Sequence, residues 1–395
     1  MEHFDLIIIG GGAAGLFLRA NLKKGKALLL ESTDQVGRKL LLTGGGMCNI
    51  TNTRAPEPFL THFATKGQRN FLLPALLNFT PDDTRHWFED HGLPTIARDD
   101  GKVFPRSLKS RDVLSCLLDS GSCPIYYNEQ VTSIQREDGH FIIQSTTNTY
   151  TAKKVVITTG GMSVSHTGSD GSGYHLAKML GHAIESPNPA LVGLAIQNWN
   201  FSDVSGTSLQ NVTVTATHSG ETKPYHKGRG DVLFTHRGLS GPAILTLSGA
   251  VRRNDLISIT LLENPATLFE SNKGAKTILG ALREHSFTRS FAQKLLVTLG
   301  IDENRRLDQI RKDERKALIH LLRGLSFVIE GTLGFQSAMV TRGGVTLGEV
   351  DRKRMESKIC PNLFFCGEVL DYDGESGGYI LQGAFSTAML AAQFL

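Results

Sequence analysis

Cysteine is scarce in this chain and thinly spread. Its 395 residues hold five, Cys48, Cys116, Cys123, Cys360 and Cys366, and none forms a C-x-x-C pair. The odd number and scattered spacing argue against a disulfide framework and against a zinc site, so no metal is expected. A reducing cytoplasm fits this usage. Long apolar runs are missing too. None approaches the roughly 18 residues that span a bilayer, so no membrane partner is expected. The first strand begins at about Phe4, which leaves no room for a signal peptide, and the expected location is cytoplasmic. Internal repeats and low-complexity tracts are absent. Net charge is only +4, a small excess for the whole chain to offer a polyanion. Glycine, by contrast, is plentiful: 42 residues exceed the usual ~7%, so much of the backbone is expected to pack closely against something. With 40% hydrophobic and 20% charged residues, a folded protein with a sizeable core is expected, in two or three domains of ~100–200 residues each.

The stretch "FDLIIIGGGAAGLFLRANL" from Phe4 carries the first chemistry. "FDLIII" is nearly all apolar, as in a strand buried on both faces. "LFLRANL" reads as a helix with Leu16, Ala20 and Leu22 inward. Between them Gly10 allows a tight turn, Gly12 lets the backbone approach a pyrophosphate, and Gly15 lets helix and strand pack closely. Ala13 and Ala14 open the helix, whose free N–H groups would face the phosphates. A second strand, "ALLLE", ends at Glu31, with Ser32 beside it. Glu31 lies 21 residues after Gly10, a spacing at which an acid accepts hydrogen bonds from an adenosine ribose. This is a dinucleotide-binding order, shared by nicotinamide and flavin proteins.

Later segments add to it. "VGRKLLLTGGGMCNITN" offers Arg38 and Lys39 as cations near a pyrophosphate. Its Gly44, Gly45 and Gly46 would let main chain lie against a flat ring or another phosphate, with Cys48 and Asn49 close behind. "IYYNEQVTSIQRE" reads as a strand ending near Val131 and then a hairpin to "HFIIQST". "KKVVITTGG" is a buried strand running into Gly160 and Gly161 after Thr159. "TGSDGSGYHLAKMLGH" is a glycine loop followed by a helix from about Gly173. "NLFFCGEVLDYDGESGGYILQGAFSTAMLAAQFL" gives a strand, an acidic glycine loop and a closing helix. Ile380, Ala384, Ala388 and Ala391 share one side of that helix.

Together these segments resemble the FAD-dependent oxidoreductases of the BaiN/YhiN type, across essentially the whole chain. They also resemble, more distantly, the flavin domains of fumarate reductases and aspartate oxidases. The blocks that carry the resemblance are "GRKLLLTGGGMCNITN", "LFTHRGLSGPAIL", "TRGGVTLGEVD" and "CGEVLDYDGESGGYILQGAFSTA". Two positions depart from it: Met47 stands where Arg is common, and Ile380 where Asn is common. Both remove a polar group and bear on the substrate, not the cofactor.

The resemblance implies FAD. Gly367, Glu368 and Asp371 would lie along its ribityl or phosphate region. Gly378, Tyr379, Ile380, Leu381, Gln382 and Ala384 would place a helix N-terminus at the pyrimidine edge of the isoalloxazine, where its dipole stabilises negative charge. Val131 would meet the adenine through its backbone, and Thr159, Gly160 and Gly161 would pass the adenosine side. The implied fold is α/β: a discontinuous Rossmann-like FAD-binding domain, residues 1–190 and 335–395, with an inserted β-barrel-like domain at 191–265 and an inserted helical module at 266–334. Short β-branched runs such as "VTVTATHS" support the barrel, and "AKTILGALREH", "SFAQKLLVTLG" and "ERKALIHLLRG" support the helices.

The helical segment is basic. Lys273, Lys276, Arg283, Arg289, Lys294, Arg305, Arg306, Arg311, Lys312, Arg315, Lys316 and Arg323 face only six acids over 272–323. It reads either as a solvated helix surface or as a docking surface for RNA. Redox chemistry belongs to the flavin, so the protein must supply an acid or base and position the substrate. The candidates are Cys48, His236, Arg237 and Arg342. No second dinucleotide fingerprint is present, which argues against a dedicated NAD(P)H domain and leaves NAD(P)H as a donor binding directly over the flavin. The expected activity is reduction of an activated C=C bond. The favoured substrate is uridine in large-subunit ribosomal RNA, giving dihydrouridine. The alternatives are a steroid-like or bile-acid-type enone, or a non-enzymatic flavin-bound RNA-binding or assembly module.

Overall fold

The computed structural model describes residues 2–23, 25–269 and 276–395; Lys273, one of the twelve cations above, lies outside the described residues. The chain forms two compact units, Met1–Ala190 with Phe335–Leu395, and Leu191–Gly334.

The first unit is built on a seven-stranded sheet. Its centre is Glu2–Ile9, parallel to Ala27–Leu30 on one side and to Thr149–Ile157 on the other. Ile7 and Ile8 are fully enclosed, which is why this run carries no polar alternation. Thr149–Ile157 is shared along its length. Its first half pairs with the antiparallel hairpin strand His140–Ser145, and its second half with the parallel strand Leu363–Phe365, so the far end of the chain completes the sheet. "IYYNEQV" is not one strand. Ile125–Tyr126 joins the sheet edge, and a new strand starts at Val131, because Asn128 between them takes the left-handed conformation (φ 57°). The first helix, Ala13–Ala20, and the closing helix, Tyr379–Ala392, belong to the same core as the sheet.

The second unit is a closed antiparallel barrel. Its strands run in the order Leu194–Ile196, Gly238–Ser240, His226–Phe234, Ser208–Thr217, Leu256–Thr260 and Leu325–Thr332, and the last pairs with the first. The closing strand comes from residues 325–332, inside the range expected for the helical module. The helices Ile278–Glu284, Arg289–Thr298 and Lys312–Arg323 share one apolar core with the barrel. A boundary at 265/266 therefore does not separate two cores. An open barrel edge would expose unpaired backbone groups, and only the late strand removes it.

One buried arrangement in the first unit has the order of a Ser–His–Glu triad. Ser357 Oγ accepts from the N–H groups of Ile359 (3.1 Å) and Cys360 (2.8 Å), so its proton is left for His182 Nε2 at 2.8 Å. His182 Nδ1–H then donates to Glu349 at 3.1 Å. The His182 side chain is fully enclosed, so this is a latch on the 349–360 loop and not a nucleophile. Burial holds His182 below its ordinary 6.5, against the pull of Glu349. The unfolded chain therefore binds the extra proton as pH falls, and this latch loses stability below about pH 6.5. Unfolding free energies across pH 5–8 should fall on the acid side in the wild type, with a shallower fall in His182→Gln.

Candidate functional site

The first helix begins with no side-chain cap, its N-cap being Gly12. The helices starting at Lys66 and Pro81 are capped by Thr65 and Thr80, each in a reciprocal capping box. Leaving the first N–H groups of Ala13–Ala20 uncapped makes sense when an anion supplies the acceptor. Gly12 has ordinary backbone angles (φ −80°), and a Cβ built there has as its nearest neighbour the Thr158 carbonyl oxygen, 4.0 Å away. The protein itself does not require glycine at this position, and the space beside the turn is open. Gly10 differs, with φ +106° and a Cβ that would sit 2.8 Å from Thr159 Cα.

Four loops converge here. A Cβ on Gly160 would stand 3.2 Å from Ser169 Oγ, and one on Gly168 would stand 3.1 Å from Thr33 Cγ2 and 3.9 Å from Glu31 Oε1. Glu31 is buried and holds the convergence together. One carboxylate oxygen accepts from Gly11 N–H (2.8 Å), the other from Thr33 N–H (2.9 Å) and Thr33 Oγ1 (2.8 Å). Ser32 Oγ joins at 3.3 Å. Val131 lies two residues beyond Glu129, whose N–H donates to the Glu31 carbonyl. Two buried hydroxyls in these loops, Thr159 Oγ1 and Ser169 Oγ, have no protein partner. Buried polar groups are normally satisfied, so an orphan pair beside an open glycine and an uncapped helix fits the adenosine diphosphate half of FAD. Sequence reading missed Ser169, although it stands in the "TGSDG" loop.

The C-terminal block adjoins the same helix. Gly367 has φ +78°, its N–H donates to Thr387 Oγ1 (3.0 Å), and a Cβ there would stand 2.8 Å from the Ala14 methyl. Gly44, Gly45 and Gly46 take consecutive left-handed conformations (φ 58°, 65° and 87°), a run that residues with a Cβ resist. The closing helix also starts uncapped, at Gly378 (φ 89°).

Several of the expected site residues are engaged within the protein. Lys39 does not offer a free cation: its Nζ lies 2.6 Å from Glu368 Oε2 and 2.7 Å from Ser163 Oγ. Glu368 accepts further bonds from Thr341 N–H (2.7 Å) and Ser163 Oγ (3.2 Å), which commits it to the same network. Arg38 faces solvent beside Asp34 at 3.8 Å. Asn49 is a buried clamp. With its amide oriented to satisfy its neighbours, it accepts from Gly378 N–H (2.9 Å) and donates to the Thr51 and Val103 carbonyls. Gln382 is fully buried and saturated. Its oxygen accepts from Thr51 and Thr84 hydroxyls (2.6 and 2.8 Å), and its nitrogen donates to Phe79 O and Ser386 Oγ. Tyr379 packs under His62 with rings stacked at 4.2 Å, and its hydroxyl accepts from Arg54. Ile380 and Leu381 are half-buried beside it, Ala384 is buried, and Gly161 abuts Thr341 and Tyr174. Asp371 is half-buried. Burial, then Glu185 and Asp373, raise its carboxyl above the ordinary value.

Of the four catalytic candidates, Cys48 drops out: it is fully enclosed, and burial pushes its thiol up to about 12. Arg342 is tied to buried Asp373 by two bonds at 3.0 and 2.9 Å. His236 and Arg237 are exposed at the tip of the turn between the barrel strands His226–Phe234 and Gly238–Ser240. That turn is held by Thr235, which donates to the Gly238 carbonyl through both N–H and hydroxyl.

The basic helices are also more neutral than their composition. Arg305 lies 2.5 Å from the buried Glu314, which Arg311 also contacts at 3.0 Å. Arg306 pairs with Asp308, Lys276 with Glu284, Arg289 with Glu303 and Lys294 with Asp203. Lys312, Lys316 and Arg323 are exposed on one face of the last of these helices.

The HI0933-like protein Rossmann domain family matches residues 4–394. Two relatives named ribosomal RNA dihydrouridine synthase are 30% identical (Haemophilus influenzae; 99% of this chain, 98% of the relative) and 31% identical (Escherichia coli; 100% and 98%). A relative from Clostridium scindens named 3-dehydro-bile acid delta(4,6)-reductase is 29% identical over 98% of this chain and 97% of its own. Among solved structures, the fold is similar to the E. coli quinol fumarate reductase subunit FrdA, with a TM-score of 0.52, 15% identity, and coverage of 100% of this chain and 70% of that one.

Proposed function

The chain belongs to the HI0933-like family and is an FAD-dependent oxidoreductase; from that premise we propose that it reduces the C5=C6 bond of uridine in large-subunit ribosomal RNA to give dihydrouridine. The observation that carries this reading is full-length similarity to two ribosomal RNA dihydrouridine synthases, in a chain whose glycine turn, orphan hydroxyls and uncapped helices fit FAD. Bound FAD supplies the reducing electrons. The chain's own residues hold it: Gly10, Gly12, Ala13, Ala14 and Gly15 at the pyrophosphate, Glu31 and Ser32 toward the adenosine ribose, and Thr159, Gly160, Gly161 and Val131 along the adenosine. Gly44–Gly46, Gly367 and the start of the closing helix border the ring. His236 stays the candidate proton donor and Arg237 its neighbouring cation. A base inside a duplex does not reach a buried ring, so a flipped-out or single-stranded uridine is required.

The test is mass spectrometry of ribosomal RNA from cells lacking this protein. One dihydrouridine should be lost and should return on complementation. The second reading, reduction of a small enone, is favoured by the bile-acid reductase relative, which is nearly as similar. Unchanged ribosomal RNA in the deletion strain, together with turnover of a steroid enone by the purified protein, would move the assignment to that class.

A further inference from the structure

In the first unit the strand Lys102–Pro105 leaves a small three-stranded sheet, passes through an exposed turn at 106–109 and enters the helix Ser110–Ser120. The turn is fixed at both ends. The Arg106 N–H donates to the Pro94 carbonyl (2.8 Å), which extends the pairing of Lys102–Pro105 with Thr95–Ala97. The Leu108 N–H donates to the Pro105 carbonyl (2.9 Å). Ser110 is buried, and its Oγ donates to the Leu41 carbonyl (2.8 Å) in the helix Arg38–Leu42.

Leu108 is out of place in this turn by every local rule. It is held at φ 56° and is 41% exposed. The left-handed region is uncommon for a residue with a Cβ, and an exposed leucine gains no burial to offset the strain. Glycine, asparagine or aspartate would take the conformation more readily and suit water better. Leu42 and Ile96, in the helix and strand that anchor the turn, are exposed as well. Nothing in the fold asks for an apolar side chain here.

Cations flank it in sequence on both sides. Arg106, Lys109 and Arg111 are exposed, and none of the three forms an ion pair with a carboxylate among the described residues. A fourth cation is held nearby by uncharged partners: Arg98 lies over the Phe104 ring at 4.1 Å and donates to Met47 Sδ at 3.5 Å. Phe104 in turn faces the glycine run, its Cε1 standing 3.3 Å from a Cβ built on Gly44. A Cβ on Gly45 or Gly46 would meet nothing within 4 Å. The basic turn therefore leads out from an open glycine run, the one that borders the flavin ring in the reading above.

We infer that this turn docks the RNA around the target uridine, with Arg106, Lys109 and Arg111 on flanking phosphates and Leu108 filling the gap in the base stack that the extruded uridine leaves. The inference rests on the RNA reading and deepens it, by naming the side chain that takes the base's place. Extrusion costs stacking, and an apolar wedge entering the stack restores part of that contact. The phosphates beside the gap are fixed by cations, which supply affinity without reading sequence. A bilayer surface is instead gripped by the broad apolar face of an amphipathic helix. A rigid turn with one projecting branched side chain and a cation on each side has the format of a wedge.

The test separates wedge from charge in the full-length, FAD-loaded protein. The probe is large-subunit ribosomal RNA from cells lacking the protein, and dihydrouridine is measured in the same cells complemented by each variant. Leu108→Gly should melt no lower than wild type, because glycine takes φ 56° without strain, and should keep its FAD. Its dihydrouridine yield should nevertheless fall at least ~10-fold, well inside the cost of unstacking one base, with RNA affinity little changed. Leu108→Met should restore the yield. Reversing Arg106, Lys109 and Arg111 to Glu should weaken RNA binding by ~100-fold at low salt. That reversal leaves no buried charge and places acids at a helix start, where the dipole favours them. Full yield from Leu108→Gly, or undiminished RNA affinity in the triple variant, would overturn the inference while leaving uridine as the substrate. A deletion strain whose ribosomal RNA keeps all its dihydrouridine would overturn both. A triple variant that loses binding to phosphatidylglycerol vesicles but not to RNA would assign the turn to a membrane surface and overturn this one alone.

Discussion

Gly12→Val should yield a folded, colourless protein, whereas Gly10→Ala should yield one that folds poorly. The two glycines are neighbours in one motif, and the structure separates their reasons. At Gly12 the nearest atom to an added Cβ is 4.0 Å away and the backbone angles suit any residue. Valine at that N-cap costs the apo fold ~1 kcal/mol. Its methyl groups occupy the space left for the pyrophosphate, and overpacking a site by that amount costs up to ~3 kcal/mol, a loss of affinity on the order of 100-fold. At Gly10 the clash is with backbone: an added Cβ lies 2.8 Å from Thr159 Cα and 2.9 Å from Thr158 carbonyl atoms, at φ +106°. That strain bears on the pairing of the two central strands, because the Thr158 N–H donates to Ile9 O just before Gly10. Absorbance at 450 nm per mole of protein, read beside a melting curve for each variant, checks the contrast. A yellow Gly12→Val protein, or a Gly10→Ala protein as stable as wild type, would remove the argument that the open glycine is there for a cofactor.

The second large effect concerns RNA. Reversing Lys312, Lys316 and Arg323 to Glu should weaken binding of a ribosomal RNA fragment by at least ~100-fold at low salt. It should also lower the salt slope by about two to three, each lost phosphate contact contributing ~0.7–0.9. These three share one exposed helix face with no carboxylate paired to them among the described residues, so the reversal leaves no buried charge behind. Reversing Arg305, Arg306 and Arg311 instead is a poor test. Arg305 and Arg311 hold the buried Glu314, and a glutamate in place of Arg305 would leave that carboxylate unpaired beside a like charge. Loss of RNA binding in such a variant would report damaged packing. Flavin content of the triple variant should match wild type, and its dihydrouridine yield in cells should drop with its RNA affinity. Binding and modification that both survive the triple reversal would make this face merely solvated.

Much of the cofactor unit was written in local sequence. A strand buried on both faces must be apolar throughout, a tight turn and a close backbone approach must be glycine, and an acid follows at the end of the next strand. Each of those demands acts within about 30 residues, so "FDLIIIGGGAAG" and "ALLLE" display them in order. The three left-handed glycines at 44–46 are legible for the same reason. What tertiary structure alone decided is which polar groups remain free. Lys39 is neutralised by Glu368, 329 residues away, Gln382 is saturated by Thr51 and Thr84, and Arg305 is spent on Glu314. The barrel is closed by a strand from 325–332 that lies past the helices, because only there does the chain return to its first strand. A cleft in the first unit joins residues near 67 to residues near 352. Periodicity and residue type fix local conformation, but whether a charge or hydroxyl is available depends on what folding brings within hydrogen-bonding distance and on how much water it excludes, and neither is set by a residue's sequence neighbours.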